Sequence, residues 1–306
     1  MITATGLTKH FDSFQALKGI NLNIDSGEVY GFLGHNGAGK STTINILAGF
    51  SKATAGACIV NGWSLDKVEH PGDLHICYLP EEPKFYSWMT GREILLYLAC
   101  QMEQPAATNR IRHLLDWADL GSASERRVGG YSRGMKQRLG MAAALLYDPD
   151  LLILDEPSSA LDPEGRSQVL RLILDLKQQG KTVFFSTHIL SDVERVCDRV
   201  GILSDGRMVL EKPLRQLLRE NVDSMYEISF TGPCPEDLMA RLRHIPGVND
   251  VNNNEAYLTI AVDEPGPTGN AILALLSSSS LTIDSFGTRK ASLEEIFIKE
   301  VGKHAV

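Results

Sequence analysis

Three short apolar runs, each ending in polar residues, predict buried strands of a parallel sheet. They read EVYGFLG at 28–34, LLILDEP at 151–157 and TVFFSTH at 182–188. Continuous apolar runs of this length are typical of strands covered on both faces, and helical patterns lie between them. The pattern therefore predicts an α/β fold with a mostly parallel sheet.

Helical periodicity dominates between about residues 85 and 147. Within it, Thr90 and Glu93 form a Thr-x-x-Glu capping box, which marks the start of a helix. The stretch VGGYSRGMKQRLGMAAAL at 128–145 predicts a second helix, capped by Ser132. A serine cap followed by a glycine leaves backbone N–H groups free, an arrangement that holds an anion.

The chain after the third strand predicts one more helix and a hairpin. ILSDVERVCDRV repeats apolar residues from Leu190 to Val200, as one helix face does. GILSDGRMVL, at 201–210, predicts two strands joined by an Asp-Gly turn. Residues 57–65 carry a similar Asn-Gly turn.

The pattern changes again after about residue 220. Strand-like and helical segments follow in the order β-α-β-β-α-β, from MYEISF to LTIDSF. This order is the split βαβ pattern of a ferredoxin-like unit. A last helix, SLEEIFIKEV, begins with a capping box of Ser292 and Glu295. We expect two domains, residues 1–220 and a small α+β domain at 221–306.

Composition limits the function classes. The 306 residues are 43% hydrophobic and 22% charged, with a net charge of −8, so we expect no nucleic-acid partner. The longest apolar run, LGMAAALLY, is about half of a membrane span, and the N-terminal residues lack a signal-peptide pattern. We expect a cytoplasmic chain that works at a membrane only where another chain holds it.

Cysteine and histidine spacing gives no sign of a structural metal or a disulfide framework. The five cysteines are scattered without a Cys-x-x-Cys pair, and the eight histidines show no paired ligand spacing. Cys58, Cys77 and Cys197 lie in apolar runs, which predicts small core residues in a reducing compartment.

The segment GHNGAGKST has the composition of a phosphate cradle. It matches G-x-x-x-x-G-K-[ST] between a predicted strand and a helix. In this pattern glycine N–H groups surround phosphate oxygens, Lys40 reaches the outer phosphates and the Ser41 hydroxyl faces Mg²⁺. A glycine-rich turn with an exposed lysine is the alternative, which the preceding strand disfavours. The cradle comprises Gly34, His35, Asn36, Gly37, Ala38, Gly39, Lys40, Ser41 and Thr42.

Polar residues at the ends of the second and third strands supply acid–base groups. Asp155 is suited to hold Mg²⁺, directly or through water, and Glu156 to polarise an attacking water. His188 ends the third strand and is placed to contact a γ-phosphate. By themselves these residues leave two alternatives open, a helix-capping Asp-Glu-Pro turn and a structural histidine.

Six motifs in a fixed order carry a family resemblance. They are GHNGAGKS, YLPEE, YSRGM, LLILDEP, SSALD and STH. Over residues 1 to about 215 the chain resembles the nucleotide-binding subunit of an ATP-binding-cassette (ABC) transporter. The resemblance implies a P-loop ATPase cassette with an antiparallel β subdomain and a helical insert, using ATP and Mg²⁺. It also implies that Glu156 is the catalytic base and His188 a switch histidine, acting with Lys40.

The resemblance assigns further residues to nucleotide binding. It implies that Phe11 stacks on adenine and that Asp162 lies at a subunit interface. It also implies that Ser132 and Gly134 cap the ATP held by another subunit. Because the chain has one cradle and one YSRGM, we expect two copies to meet head to tail around two MgATP.

Three positions, in two motifs, depart from the family pattern. Arg133 and Met135 replace the usual glycine and glutamine of the YSRGM motif. Glu81 stands where many members have a glutamine that senses Mg²⁺, and a carboxylate there is expected to ligate the metal more strongly.

YLPEE, YSRGM and the SLEEIF segment are similar to the exporter branch with separate membrane subunits. That similarity implies an integral membrane permease as partner and a place on the cytoplasmic face of the cell membrane. One alternative is a soluble cassette ATPase of ribosomes or DNA repair, disfavoured because those usually carry two cassettes or long inserts. A regulatory module without turnover is the other, and the intact Glu156 disfavours it.

Overall fold

A computed structural model describes residues 1–101, 108–232, 236–254, 257–263, 265–279 and 282–304. Cys234 and a short part of the predicted helical insert lie outside these residues. The chain divides into two units. The first unit comprises Met1–Leu214 and the end of the last helix from Phe297, and the second comprises Arg215–Ile296.

The strands and helices are numbered here in chain order. The strands are β1 (Ile2–Phe11), β2 (Phe14–Ile24), β3 (Val29–Leu33), β4 (Ala55–Val60), β5 (Trp63–Ser64), β6 (Ile76–Leu79), β7 (Leu151–Leu154), β8 (Thr182–Thr187), β9 (Arg199–Ser204), β10 (Arg207–Pro213), β11 (Val222–Thr231), β12 (Val248–Asn254), β13 (Tyr257–Val262) and β14 (Thr282–Lys290). The helices are α1 (Lys40–Leu47), α2 (Gly91–Ala99), α3 (Thr108–Trp117), α4 (Arg133–Ala144), α5 (Pro163–Gln178), α6 (Leu190–Val196), α7 (Leu214–Glu220), α8 (Glu236–Arg243), α9 (Pro265–Ser277) and α10 (Leu293–His304).

A six-stranded sheet forms the centre of the first unit, in the order β10-β9-β3-β8-β7-β6. All neighbours are parallel except β10, which pairs antiparallel with β9. The three apolar runs form β3, β7 and β8, and every residue of these strands is buried. The mostly parallel sheet is thereby confirmed. Because parallel strands end at one edge, the turns after β3, β6, β7 and β8 come together there.

A second sheet in the first unit is antiparallel, with the order β2-β1-β4-β5. The Asn-Gly turn joins β4 and β5 as predicted, with Asn61 at φ 51° and Gly62 at φ 83°. The Asp-Gly turn between β9 and β10 has the same left-handed pair of residues. Positive φ at both central positions matches the twist of hairpin strands, which explains why these dipeptides occur there.

Three helices, α2, α3 and α4, form the predicted insert around their own apolar cluster. The capping box is present, since the N–H of Glu93 donates to Thr90 Oγ1 at 3.2 Å and the N–H of Thr90 donates to Glu93 Oε2 at 2.8 Å. Ser132 caps α4 by accepting from the N–H of Met135 at 3.2 Å. Leu139 of α4 is buried in the cluster, so the predicted second helix packs within the insert.

The helix predicted to run to Val200 is shorter, and that part of the prediction was wrong. Helix α6 ends at Val196, and Cys197 is extended, with φ −82° and ψ 150°. Asp198 then donates its N–H to the carbonyl of Val29 at 2.8 Å, which starts the pairing of β9 with β3. Val200 is consequently a buried strand residue.

The second unit has the predicted β-α-β-β-α-β order, and its sheet has the strand order β12-β13-β11-β14 with antiparallel neighbours. Tyr226, Ile228 and Phe230 alternate along β11 into a core shared with the two helices. This arrangement is ferredoxin-like. The capping box of Ser292 and Glu295 opens the last helix as predicted. No helix in the described part of the chain has the length and apolar character that a membrane crossing requires.

Candidate functional site

A cleft of about 430 Å³ lies at the edge of the central sheet where its parallel strands end. Its walls come from the segment after β3, from the segments that follow β6, β7 and β8, and from the start of β2. The residues lining it are Phe14, Ala16, His35, Asn36, Gly37, Gly39, Lys40, Ser41, Thr42, Glu81, Glu156, Ser159 and His188. The structure therefore brings most of the predicted cradle together with Glu81, Glu156 and His188.

Glycine at two cradle positions allows the backbone to curve around the cleft. Gly37 has φ 85° and Gly39 has φ 110°. A Cβ atom on Gly39 would lie 2.9 Å from Leu17 Cδ2 and 3.0 Å from the Ala16 carbonyl. Helix α1 starts at the next residue without a side-chain cap, and its first residues, Lys40, Ser41 and Thr42, line the cleft.

Gly34 and Ala38 do not line the cleft but pack beneath it. Ala38 is buried, and a Cβ atom on Gly34 would lie 2.6 Å from the Leu203 carbonyl. The carbonyl of Gly34 accepts a hydrogen bond of 2.7 Å from Lys40 Nζ. These two residues therefore shape the cradle from below.

Lys40 and Glu156 form an ion pair at the base of the cleft. Lys40 is only 6% exposed, and its Nζ lies 3.2 Å from Glu156 Oε1. The other carboxylate oxygen of Glu156 lies 2.6 Å from His188 Nδ1. One carboxylate thus joins the ammonium of the cradle to the imidazole at the end of β8.

The backbone of Glu156 is strained. Its φ of 46° lies in the left-handed region, which is unfavourable for a residue with a Cβ atom. Its N–H donates to Ser186 Oγ at 2.9 Å. Strain of this kind is characteristic of functional sites, where the surrounding structure holds a side chain in a required direction.

Asp155 is half-buried, does not line the cleft, and accepts a hydrogen bond of 2.7 Å from Ser186 Oγ. Burial raises the pKa of its carboxyl, and the hydrogen bond from Ser186 opposes that effect. The nearby carboxylates of Glu156 and Glu81 raise this pKa further, and the ammonium of Lys40 lowers it. A buried carboxylate of this kind gains from a nearby cation.

The oxygen donors present fit Mg²⁺ better than a softer metal. Ser41 and Asp155 supply a hydroxyl and a carboxylate, and Mg²⁺ is usually bound by one or two such groups together with substrate phosphates. Among the described residues, no three His, Cys, Asp or Glu side chains form a metal-binding group. The site therefore suits a cation that arrives with a nucleotide.

Two of the three positions that depart from the family pattern, Arg133 and Glu81, contact each other. Arg133 Nη2 donates to Glu81 Oε1 at 3.1 Å, and both side chains are about half exposed. A pair with this exposure contributes about 0–1 kcal/mol to stability. The role of Glu81 as a metal ligand stays a prediction, because in this geometry its carboxylate is bound to Arg133.

The YSRGM and SSALD residues lie together at two helix starts. Ser132 caps α4, and Asp162 caps α5 by accepting from the N–H of Gly165 at 3.3 Å. A Cβ atom on Gly134 would lie 3.6 Å from the Cα of Gly165. Of the described residues lining the cleft, none is Ser132, Gly134 or Asp162.

Phe11 and Phe14 face each other across the turn between β1 and β2. Both rings are largely exposed, and Phe14 lines the cleft. Lys9 Nζ lies 5.0 Å from the centre of the Phe11 ring. Adenine stacking by Phe11 stays a prediction. The sequence reasoning missed Phe14. Its spacing of three residues from Phe11 was the usable signal, and the structure places it opposite Phe11 in a tight turn.

Comparison with known proteins identifies the family. A family model described as ABC transporter matches residues 17–159, and one described as ATP-binding protein DrrA1-3-like, C-terminal domain, matches residues 213–301. The ABC transporter ATP-binding protein YxlF of Bacillus subtilis, described as uncharacterized, is 35% identical over 98% of this chain and 99% of its own.

Two further proteins are similar to the cassette. The bacitracin transport ATP-binding protein BcrA of Bacillus licheniformis is 41% identical over 72% of each chain. The dimeric post-hydrolysis structure of the ATP-binding cassette MJ0796, bound to ADP and Pi, matches with a TM-score of 0.62 and 26% identity over 70% of this chain and 99% of that one. The chain belongs to the ABC transporter family, as an ATP-binding subunit with the ATP-hydrolysing cassette.

Proposed function

We propose that this chain works as a head-to-tail homodimer around two MgATP and drives export through separate membrane subunits. The main observation behind this proposal is that most of the cradle lines the cleft. Ser132 and Gly134 of the same chain lie at the start of α4 and do not line the cleft. Free N–H groups behind a serine cap suit a phosphate, and a second copy supplies one in a two-fold arrangement. The dimeric MJ0796 structure supports this arrangement.

The contacts in the cleft suggest how hydrolysis proceeds. The ammonium of Lys40 lies 3.2 Å from the Glu156 carboxylate, so phosphate oxygens that bind Lys40 Nζ take the place of that carboxylate. The released carboxylate then accepts a proton from the water that attacks the γ-phosphorus, and the bond from that phosphorus to the bridging oxygen breaks, so that ADP leaves. His188 Nδ1 holds the other carboxylate oxygen. Ser41 and Asp155 hold Mg²⁺, which when bound neutralises charge on the outer phosphates.

The nucleotide base and the domain division complete the proposal for the chain itself. Phe11 stacks on adenine, beside the exposed ring of Phe14. We place the cassette at residues 1–220 and the C-terminal domain at 221–306, whereas the compact units divide after Leu214 and the first unit includes the end of the last helix from Phe297. The match of the C-terminal family model to residues 213–301 supports this division.

An exposed aromatic patch supports docking of a membrane subunit. The rings of Tyr86 and Trp88 lie 5.7 Å apart, and those of Tyr86 and Tyr97 lie 6.1 Å apart. Trp88 is 66% exposed. Contiguous exposed apolar groups of this kind mark interaction sites. The similarity to the bacitracin transport ATP-binding protein favours a role in transport, and we propose export from the cytoplasmic face of the membrane.

The test of the dimer is the size in solution of the Glu156→Gln protein, with and without MgATP. We expect a dimer only with MgATP, because the variant binds nucleotide without hydrolysing it. The matched control adds Ser132→Arg, which blocks the cap and is expected to leave the protein monomeric. A size that does not depend on nucleotide refutes the proposed ATP-held dimer.

Two measurements separate the remaining functions. A turnover of Glu156→Gln equal to that of the unchanged protein refutes Glu156 as the base and favours a module without turnover. Coexpression with a candidate multi-span membrane protein tests the permease. We expect Trp88→Glu to abolish recovery in the membrane fraction while the free ATPase rate stays unchanged. Unimpaired recovery excludes the aromatic patch as the docking surface.

A further inference from the structure

Ser186, at the penultimate position of β8, contacts Glu156, which lines the cleft, and its neighbour Asp155. Its side chain is fully buried. Its hydroxyl donates to Asp155 Oδ1 at 2.7 Å and accepts from the N–H of Glu156 at 2.9 Å. A serine hydroxyl has one proton to donate, so the bond to Asp155 fixes the direction in which it accepts.

The sheet register explains why a side chain makes this contact. Strands β7 and β8 pair in parallel up to Leu154 and Phe185. Asp155 extends the pairing of β7 with β6 by donating its N–H to the Leu79 carbonyl at 2.8 Å. Glu156 turns away from the ladder, and its N–H bonds to the hydroxyl of Ser186 rather than to a strand carbonyl.

The hydrogen bond to Ser186 acts on a strained residue. The left-handed conformation of Glu156, with φ 46°, is unfavourable for a residue with a Cβ atom. Without a partner for its buried N–H, Glu156 gains by relaxing toward an ordinary φ. That relaxation moves its carboxylate away from Lys40 and His188, which it contacts here at 3.2 and 2.6 Å.

We propose that Ser186 is a positioning residue for ATP hydrolysis, which holds the Asp155 carboxylate and the Glu156 backbone in register through one hydroxyl. The inference rests on the proposed roles of Asp155 and Glu156. Ser186 contacts neither the cradle glycines nor Lys40 through the hydrogen bonds described, so its removal changes the chemical step and leaves nucleotide capture by the cradle intact.

The perturbation is Ser186→Ala in the full chain, with Thr182→Val as the matched control. Thr182 is also fully buried on β8, and its hydroxyl accepts from the N–H of Gly27 at 2.8 Å. Each variant removes one buried hydroxyl from the same strand, so their effects on the melting temperature are expected to be similar. Ser186→Thr, which keeps the hydroxyl, tests for rescue.

For Ser186→Ala we expect kcat to fall about 10- to 100-fold, because a displacement of about 1 Å at a reacting group has an effect of this size. We expect KM to stay within about threefold, since ground-state binding by the cradle is unchanged. Thr182→Val keeps the unchanged protein's kcat, and Ser186→Thr restores most of the loss.

Binding of a fluorescent ATP analogue supplies a readout apart from activity. The affinity of Ser186→Ala without Mg²⁺ is expected to equal that of the unchanged protein, while the gain in affinity on adding Mg²⁺ is reduced by no more than the roughly threefold expected for KM. Equal kcat values for Ser186→Ala and Thr182→Val overturn the inference. It is also overturned if Ser186→Ala loses as much affinity for the analogue without Mg²⁺ as with Mg²⁺. If Glu156→Gln is inactive and Ser186→Ala is not, only this inference fails. An active Glu156→Gln refutes the proposed base instead.

Discussion

A carboxylate buried behind the cleft gives a quantitative test of how the first unit is held together. Asp192, on α6, is fully buried. It accepts from Ser158 Oγ at 2.5 Å and from Arg166 Nε at 2.6 Å, and Arg166 Nη2 donates to Ser191 Oγ at 2.6 Å. These contacts join the segment after Glu156 and the start of α5 to the helix that follows β8. We predict that Asp192→Asn destabilises the first unit.

The size of the effect follows from what the substitution leaves behind. Breaking a buried ion pair by neutralising one partner costs about 3–5 kcal/mol. Arg166 is 31% exposed, so water partly solvates its guanidinium, and asparagine retains one acceptor oxygen. We therefore expect a loss of about 2–4 kcal/mol in the free energy of unfolding. For a domain of this size that is a fall of about 6–12 °C in the melting temperature.

Urea unfolding followed by tryptophan fluorescence measures this loss selectively. The three tryptophans, Trp63, Trp88 and Trp117, all belong to the first unit, so the signal reports on that unit. Asp12→Asn is the matched control. Asp12 is exposed and left-handed, a conformation that asparagine also adopts, so its effect is expected to stay within about 0.5 kcal/mol.

A double-mutant cycle with Arg166→Gln separates pairing from packing. Residues in direct contact show coupling of about 0.5–3 kcal/mol, so the double variant is expected to lose less than the sum of the single losses. The reasoning is refuted if Asp192→Asn unfolds at the urea midpoint of Asp12→Asn. Strict additivity of the two single losses also refutes it.

Three further expectations concern single positions. Ala160 has φ 51°, so Ala160→Gly relieves strain and raises the free energy of unfolding by about 0.5–1 kcal/mol; a lower urea midpoint contradicts this. Gly134→Ala has room for its Cβ atom and keeps the unchanged urea midpoint, but loses the MgATP-dependent dimer in the Glu156→Gln background; a surviving dimer excludes the capping role of Gly134. Burial raises the pKa of the Cys58 and Cys77 thiols to about 12. At about pH 8 we therefore expect iodoacetamide to label exposed Cys100 and to spare these two cysteines until the chain unfolds. Mass spectrometry of the labelled peptides measures this, and labelling of Cys58 or Cys77 in the folded chain contradicts it.

The sequence predicted the features that depend on neighbouring residues. The buried strands, the glycine cradle and the hairpin turns follow from local chemistry, since apolar runs need burial and Asn-Gly or Asp-Gly pairs adopt positive φ. The same holds for the caps at Thr90, Ser132 and Ser292. The β1–β2 hairpin was missed, although buried and exposed positions alternate at the start of β1.

Contacts between distant segments were beyond local reasoning. Glu81 and Arg133 are 52 residues apart, and nothing near either one indicates that they pair. Ser186 and Glu156 meet because of the sheet register, which no short motif reveals. Likewise, the periodicity through Val200 favours a longer helix, but pairing of β9 with β3 uses those residues instead.

The place of β6 in the central sheet gives the cleft one compliant wall. Strands β3, β7 and β8 each have two neighbours, whereas β6 lies at the edge beside β7 alone and has four residues. Glu81 follows two residues after this strand, so moving it breaks few hydrogen bonds, while Lys40 and Glu156 follow interior strands. Local opening is easiest where such bonds are fewest. The wall of the cleft at Glu81 is therefore expected to move more easily than the walls that carry Lys40 and Glu156. From Glu81 the chain continues to the exposed rings of Tyr86 and Trp88.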